Sequence, residues 1–223
     1  MDKLYSKYAL KTRLKEASLA TFSDAELLTI LLKPNCLTDT QVAQFHTALV
    51  KYEGLRALTR LPEAAFCDAM GVQGMKYKQL QVAKEIAKRI SYETLKRTSS
   101  LTSPALTRQF LMQALADYDY EIFGLLLLDS QHRVIAFHEL IRGTINAAAV
   151  YPREVVKVML EKSAAVVILV HNHPSGVSEP SAADKAITQK LIAILKMIDV
   201  RVLDHLVVGD QEITSFAERG WIL

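Results

Sequence analysis

Two histidines separated by one residue, His171 and His173, directly follow a continuous apolar run at 164–170. Because side chains alternate across a β-strand, both imidazoles point to the same side if the strand geometry continues through them. A turn that contains prolines and a glycine comes next, and Ser181 and Asp184 then fall at the start of a predicted helix. The spacing therefore allows the carboxylate of Asp184 to lie close to the two histidines.

Two imidazoles and one carboxylate are a donor set that suits a hydrolytic zinc site. Zinc in such a site typically has three protein ligands, which leaves the fourth position for water. The metal lowers the pKa of that water toward about 7 and polarises the carbonyl group that is attacked. His171, His173 and Asp184 are therefore the predicted ligands of one zinc ion per chain.

A site of this kind also needs a general base that is not itself a metal ligand. Glu121 is the first candidate, because it stands at the head of a predicted strand at 122–128 that can pair with the apolar strand before the histidines. Glu139 is the second candidate. The preference for Glu121 depends on that strand pairing.

The same residues also have ordinary structural explanations. Ser181 and Asp184 have the spacing of a capping box, in which each side chain accepts a hydrogen bond from the other residue's backbone N–H group. Asp204 and His205 are consistent with a buried hydrogen-bonded pair or with a group behind the metal ligands, and we favour the structural role. Asn172 is expected to satisfy backbone groups in the loop.

Other hydrolase signatures do not occur in the sequence. His138-Glu139 begins like the zincin motif H-E-x-x-H, but Arg142 stands where the second histidine is required. The chain has neither a G-x-S-x-G elbow nor a P-loop. Its two cysteines, Cys36 and Cys67, fit neither a disulfide framework nor the zinc deaminase pattern. Zincins, serine hydrolases, nucleotide motors and zinc deaminases are therefore disfavoured.

The elements that must position these residues divide the chain into two predicted domains. The front has helical periodicity and includes two helices joined by the turn Gly71-Val72-Gln73-Gly74. A stretch rich in serine and threonine predicts a linker at 93–104, between a small all-α domain at 1–92 and a second domain at 105–223. The second domain alternates strands with helices, which predicts an α/β fold with a mixed sheet flanked by helices.

Composition and charge narrow the classes further. Half of the residues are hydrophobic and 23% are charged, which is typical of globular proteins and excludes a disordered chain. No apolar run approaches the roughly 20 residues of a membrane span, and no secretory signal is recognised, so we expect a cytoplasmic protein. Residues 1–100 hold 16 lysines and arginines against 10 acidic residues, which makes weak contact of the N-terminal domain with DNA an expectation.

The segment His171-Asn-His-Pro-x6-Ser181-x2-Asp184, with Glu121-x-x-Gly124 upstream, resembles the JAMM (MPN-type) zinc metalloprotease motif. More narrowly, the segments at 142–144, 151–154, 171–176, 204–205 and 215–222 resemble the bacterial RadC proteins. The resemblance covers about residues 105–223 strongly and residues 1–90 in outline.

This resemblance implies a JAMM/cytidine-deaminase-like fold preceded by a helix-hairpin-helix-like domain. It implies zinc ligation by His171, His173 and Asp184, and it places Glu121 at the position of the JAMM general base. Ser181 matches the JAMM serine that steadies the developing oxyanion. The implied activity is hydrolysis of a peptide or isopeptide bond in a peptide or protein substrate, and the family also carries a DNA repair label.

The N-terminal domain departs from the family pattern at the hairpin turn. That pattern is glycine, hydrophobic residue, glycine, whereas this chain has Gly71-Val72-Gln73. Because the glycines let backbone N–H groups approach DNA phosphates, the glutamine weakens the expectation of DNA binding. Two alternatives to an active enzyme remain: a DNA-associated binding protein whose zinc domain is structural, and a pseudo-enzyme that binds substrate without turnover.

Overall fold

The computed structural model describes residues 7–97, 104–115, 118–143 and 150–222. These residues form two compact units that divide between Ala87 and Lys88. The first unit is entirely helical, and the second is a mixed sheet flanked by helices. The predicted fold class, an α/β domain preceded by a small all-α domain, is confirmed. None of the helices in the described part of the chain carries an apolar stretch long enough to cross a bilayer.

Short-range signals explain where the helices of the first unit begin and end. Ser23 and Glu26 form a capping box at the start of one helix, with each side chain bound to the backbone of the other residue. Gly71 has a positive φ of 58°, which ends another helix in the left-handed conformation that glycine tolerates. The helices are α1 (Lys7–Glu16), α2 (Asp24–Leu32), α3 (Asp39–Lys51), α4 (Leu55–Thr59), α5 (Glu63–Met70) and α6 (Gly74–Arg97).

Helix α6 continues into the segment predicted to be a linker. Residues 93–97 of the predicted linker are the last five residues of this helix. Residues 98–103 lie outside the described part of the chain. Within the second unit, the ring of Tyr92 packs 5.1 Å from that of Phe110, and its hydroxyl oxygen accepts a hydrogen bond from the backbone N–H of Phe137. These contacts stabilise the C-terminal end of α6, where the sequence has only weak helical periodicity. The domain boundaries themselves stay a prediction.

The second unit contains a five-stranded sheet in the order β2-β1-β3-β4-β5. Strands β3 and β4 are parallel, and the other neighbouring pairs are antiparallel. The elements are α7 (Pro104–Leu115), β1 (Ile122–Leu128), β2 (Val134–Arg142), α8 (Pro152–Glu161), β3 (Val166–Asn172), α9 (Ala182–Lys196), β4 (Arg201–Val208) and β5 (Ile213–Ser215).

Both faces of the sheet are covered, which explains the unbroken apolar sequence of its central strands. Alternate residues of β1, among them Phe123 and Leu125, pack on one face with α8 and α9. The intervening residues, among them Ile122 and Leu126, pack on the other face with α7. Strand β1 is therefore buried along its whole length.

The register of β1 on β3 brings two sequence-distant segments to one end of the sheet. The two strands are antiparallel, with Phe123 opposite His171 and Leu128 opposite Val166. Strand β3 ends at Asn172, two residues later than the sequence predicted, so that the first histidine lies within the strand. Glu121, which directly precedes β1, therefore lies at the same end of the sheet as the histidine pair.

Candidate metal centre

The three predicted zinc ligands converge. The Nε2 atom of His171 lies 3.0 Å from Nε2 of His173 and 3.5 Å from Oδ1 of Asp184. Nε2 of His173 lies 3.8 Å from Oδ2 of Asp184. One donor atom from each residue falls in a group whose members all lie within 4.8 Å of one another, so one ion can contact all three.

The capping box at the start of α9 fixes the carboxylate of Asp184. Its Oδ2 atom accepts hydrogen bonds from the backbone N–H and the hydroxyl of Ser181, at 2.7 and 2.6 Å. The hydroxyl oxygen of Ser181 in turn accepts from the backbone N–H of Asp184 at 3.1 Å. Because the cap engages Oδ2, Oδ1 is left facing His171. The capping role and the predicted ligand role therefore coexist in one arrangement.

A chain of buried hydrogen bonds fixes the tautomer of His171. The Thr188 hydroxyl donates to the backbone carbonyl of Asp184 at 2.5 Å, so it accepts from Nδ1 of His205 at 2.6 Å. His205 then offers the lone pair of its Nε2 to Nδ1–H of His171, 2.8 Å away. With its proton on Nδ1, a neutral His171 presents a lone pair at Nε2, the atom that faces the other two donors.

A backbone carbonyl does the same for His173. Its Nδ1 lies 2.7 Å from the carbonyl oxygen of Val177, which can only accept, so Nδ1 carries the proton. The loop that supplies this carbonyl is attached to the sheet through the backbone N–H of His173, which donates to Val208, and through that of Asp210, which donates to Gly176. Neutral His173 therefore also has its lone pair at Nε2.

Two imidazole lone pairs 3.0 Å apart repel each other unless a proton or a cation lies between them. Imidazole nitrogens and a carboxylate oxygen are donors that zinc accepts, and each histidine has a partner for its other ring nitrogen, as zinc-binding histidines usually do. The residues present thus fit a zinc ion by the chemistry of the donor set and by the tautomers that their neighbours impose.

The electrostatics of the site follow from these contacts. Burial alone would raise the pKa of Asp184, but contacts with His171, His173 and Ser181 outweigh burial and hold that pKa well below its usual range. The contact with Asp184 is the main cause of a raised pKa at His173, and Val177 and Glu121 add to it. Complete burial holds the pKa of His205 well below its ordinary value, so that its ring is neutral.

The two candidates for the general base have different surroundings. Glu121 lines an open cleft of about 500 Å³ together with His173, and the two residues interact electrostatically. The carboxylate of Glu139 is bound by the guanidinium of Arg142 at 2.7 Å and lies 3.3 Å from the hydroxyl of Tyr118. Because Glu121 shares a cleft with His173, and Glu139 is not among the residues that line it, the geometry favours Glu121.

Asp204 and His205 do share a hydrogen bond, from the backbone N–H of His205 to Oδ1 of Asp204 at 2.7 Å, but their side chains make different further contacts. The carboxylate of Asp204 accepts hydrogen bonds from the Ser215 hydroxyl and from the backbone N–H of Ala217, and so holds the C-terminal segment to β4. His205 instead contacts His171. The sequence did contain a signal for this role of His205, because a histidine inside an apolar strand is expected to be buried and then needs partners for both of its ring nitrogens.

Comparison with known protein sequences identifies relatives of this chain. Residues 101–221 match the family described as the RadC-like JAB domain. A UPF0758 protein of Shewanella loihica is 53% identical over 212 residues, which cover 95% of this chain and 94% of the relative. A UPF0758 protein of Shewanella oneidensis is 55% identical over 213 residues, which cover 95% and 93% of the two chains.

Proposed function

The chain belongs to the RadC family, and on this basis, together with the converging donors of His171, His173 and Asp184, we propose that it is a zinc-dependent hydrolase of the JAMM type that cleaves a peptide or isopeptide bond. The observation that carries the proposal is the 3.0 Å approach of two histidine Nε2 atoms beside an aspartate that is held deprotonated. A cytoplasmic location remains a prediction from the sequence.

His171, His173 and Asp184 would hold the metal. Zinc bound there supplies Lewis-acid chemistry, which means an activated water and a polarised carbonyl group. The protein's own contribution is to orient the two imidazoles, with a proton on each Nδ1, before any metal arrives. Because the hydrogen bonds to His205 and Val177 are made within the protein, little rearrangement is needed when the ion binds.

Glu121 would move the proton. Glu121 directly precedes β1 and lines the same cleft as His173. A carboxylate there can take a proton from water and return it to the leaving amine. Glu139 is less suited to this task because it is not among the residues that line that cleft.

Ser181 would steady the oxygen of the attacked carbonyl. Its hydroxyl lies beside the carboxylate of Asp184 and donates to it in this structure. To serve a developing oxyanion, that hydroxyl must rotate away from Asp184, whereas the backbone N–H of Ser181 can keep the cap in place. The hydroxyl oxygen still accepts from the backbone N–H of Asp184 while its proton turns, so the proposed roles of Ser181 as cap and as oxyanion donor do not exclude each other.

The proposed activity is tested with zinc-loaded protein on a broad panel of peptides and isopeptide-linked conjugates, followed by mass spectrometry. The matched comparison is Glu121→Gln, which should keep the zinc and lose hydrolysis, while Glu139→Gln should keep both. Failure of the wild type to cleave any member of the panel, or equal cleavage by Glu121→Gln, would contradict the proposal.

The alternative of a DNA-associated protein has less support from the described residues. The Lys33 amine at the hairpin turn binds the carbonyl of Gly71 at 3.0 Å, and Lys78 pairs with Glu63 at 3.4 Å. Both lysines already have partners in the first unit. Binding of substrate without turnover, the pseudo-enzyme alternative, is distinguished by the hydrolysis assay above.

A further inference from the structure

The residue between the two histidines carries its own polar contacts, on the other face of the sheet. Alternation along β3 directs the side chain of Asn172 away from the histidine rings, and only 2% of this residue is exposed. Its Oδ1 accepts a hydrogen bond from the backbone N–H of Ile122 at 2.7 Å, and its Nδ2 donates to the carbonyl of Tyr120 at 3.1 Å.

These two hydrogen bonds are made to the peptide groups on either side of Glu121. The carbonyl of Tyr120 belongs to the peptide group before Glu121, and the N–H of Ile122 belongs to the peptide group after it. One side chain therefore binds both peptide groups whose orientations define φ and ψ of Glu121. From the other side, the carbonyl of Glu121 accepts from the backbone N–H of Gly143 at 2.9 Å.

A side chain is needed at this point because the strands separate. The pairing of β1 with β3 runs up to Phe123 and His171, and beyond it the backbone N–H of His173 donates to the carbonyl of Val208, the last residue of β4. The backbone N–H of Ile122 would then lack a partner on β3. The amide of Asn172 has one acceptor and one donor group, like a peptide unit, and replaces the missing pairing.

We propose that Asn172 is the positioning residue for Glu121, because its side chain holds the peptide groups on both sides of that residue in the register that directs the carboxylate into the cleft of His173. This inference rests on the proposed function, since positioning matters only if Glu121 moves a proton. It also explains why the backbone of one short segment, 171–173, can present two metal-binding side chains and still organise the general base.

The experiment compares zinc-loaded wild type with Asn172→Leu, which keeps the approximate volume and removes both hydrogen bonds. We expect zinc content to stay near one per chain, KM to change little and kcat to fall about 10- to 100-fold, because a small misplacement of a catalytic group has effects of this size. Val166→Ala, at the far end of β3 on the same face, is the control for general loss of stability.

A double-mutant cycle shows whether Asn172 acts through Glu121. In a Glu121→Gln background, Asn172→Leu should lower the residual rate no further, because the group that it positions is already gone. Independent of turnover, the Ile122 amide should exchange with solvent about five- to tenfold faster in Asn172→Leu than in wild type, as expected when one hydrogen bond is lost.

The outcomes separate the two proposals. If the wild type hydrolyses its substrate and Asn172→Leu retains full kcat, or if its effect adds to that of Glu121→Gln, the inference fails and the proposed function stands. If the wild type hydrolyses nothing, the proposed function fails, and the inference is decided by crystal structures of the two proteins. A Glu121 carboxylate that keeps its position relative to His173 without the asparagine overturns it.

Discussion

The Nδ1 atom of His171 on β3 lies 2.8 Å from Nε2 of His205 on the neighbouring parallel strand β4. His205 is completely buried. The contact continues through the Thr188 hydroxyl to the backbone carbonyl of Asp184. Two of the three proposed ligands are thus joined behind the site by an unbroken series of hydrogen bonds. One ligand stands on β3 and the other on α9, so this series also sets the spacing between a strand and a helix.

Removal of His205 should therefore weaken zinc binding although the residue is not a ligand. We expect His205→Leu to lower zinc affinity about 10- to 100-fold, the range found for partners behind metal-binding histidines. Thr188→Val should act in the same direction with a smaller effect. Competition against a chromophoric chelator measures both. His132→Asn, which changes an exposed contact with Arg201 away from the site, is the control and should bind as wild type does.

Metal content distinguishes ligands from the neighbouring catalytic candidates. Wild-type protein purified without an affinity tag should hold about one zinc per chain by elemental analysis, and His173→Ala and Asp184→Ala should hold almost none, because two remaining ligands bind zinc too weakly to retain it through purification. Glu121→Gln should retain the metal. Zinc retained in either ligand variant, or lost in Glu121→Gln, would assign the wrong residues to the site.

Stability of the metal-free protein should depend on pH through His173. Since contact with Asp184 raises the pKa of this histidine above its ordinary value of 6.5, folding favours its protonated form. The resulting stabilisation is fully present below about pH 6.5 and is lost as the pH rises through the raised pKa. Urea unfolding in the presence of a chelator should show this loss in the wild type, with a smaller slope in His173→Gln.

Saturating zinc should reverse the dependence of the unfolding free energy on pH. Binding requires the neutral imidazole, so zinc competes with the proton on His173 and stabilises the protein more as the pH rises. The same urea titrations with saturating zinc should therefore give a free energy of unfolding that increases from about pH 6 to 8. An identical pH dependence with and without zinc would show that His173 does not contact the metal.

Part of the site could be predicted from local sequence. His171 and His173 required only the alternation of a strand, and Ser181 and Asp184 only the spacing of a capping box. The position of Glu121 required the pairing of two apolar strands, which their composition already suggested. These features depend on short-range periodicity and on burial, which the sequence displays directly.

The remaining features depend on tertiary contacts. His205 lies 34 positions after His171 in the chain and meets it only through the parallel pairing of β3 with β4, a register that no local pattern specifies. Residues 93–97 were predicted to belong to the linker, but they lie in α6, where packing of Tyr92 on Phe110 stabilises the helix. Both differences arise where contacts between distant residues override the local signal.

DNA binding by the whole chain should be weak. Because Gln73 replaces the second glycine of the hairpin turn, we expect a dissociation constant at the weak end of the non-specific range at physiological salt, about 10⁻⁴ M for a short duplex. Gln73→Gly should tighten binding at low salt by letting the backbone approach phosphates. Fluorescence anisotropy at several salt concentrations measures this. Tight binding of the wild type at physiological salt would instead favour the DNA-associated alternative.

The loop that orients His173 should be sensitive to a single added methyl group. At Gly209, a Cβ atom would lie 2.5 Å from the carbonyl oxygen of Gly176 and 3.0 Å from the backbone nitrogen of Ser178, both of which are backbone atoms that cannot move aside alone. These residues flank Val177, whose carbonyl holds Nδ1 of His173. We expect Gly209→Ala to destabilise the fold by about 1–3 kcal/mol and to weaken zinc binding as well.

Val177→Ala is the matched control for that experiment, because the Val177 side chain is exposed while its contact with His173 is made by the backbone carbonyl. It should leave both zinc affinity and unfolding unchanged within about 0.5 kcal/mol. Thermal unfolding with and without zinc, together with chelator competition, measures the two effects. If Gly209→Ala lost stability but bound zinc as tightly as wild type, the loop would be packed against the connection between β4 and β5 without setting the orientation of His173.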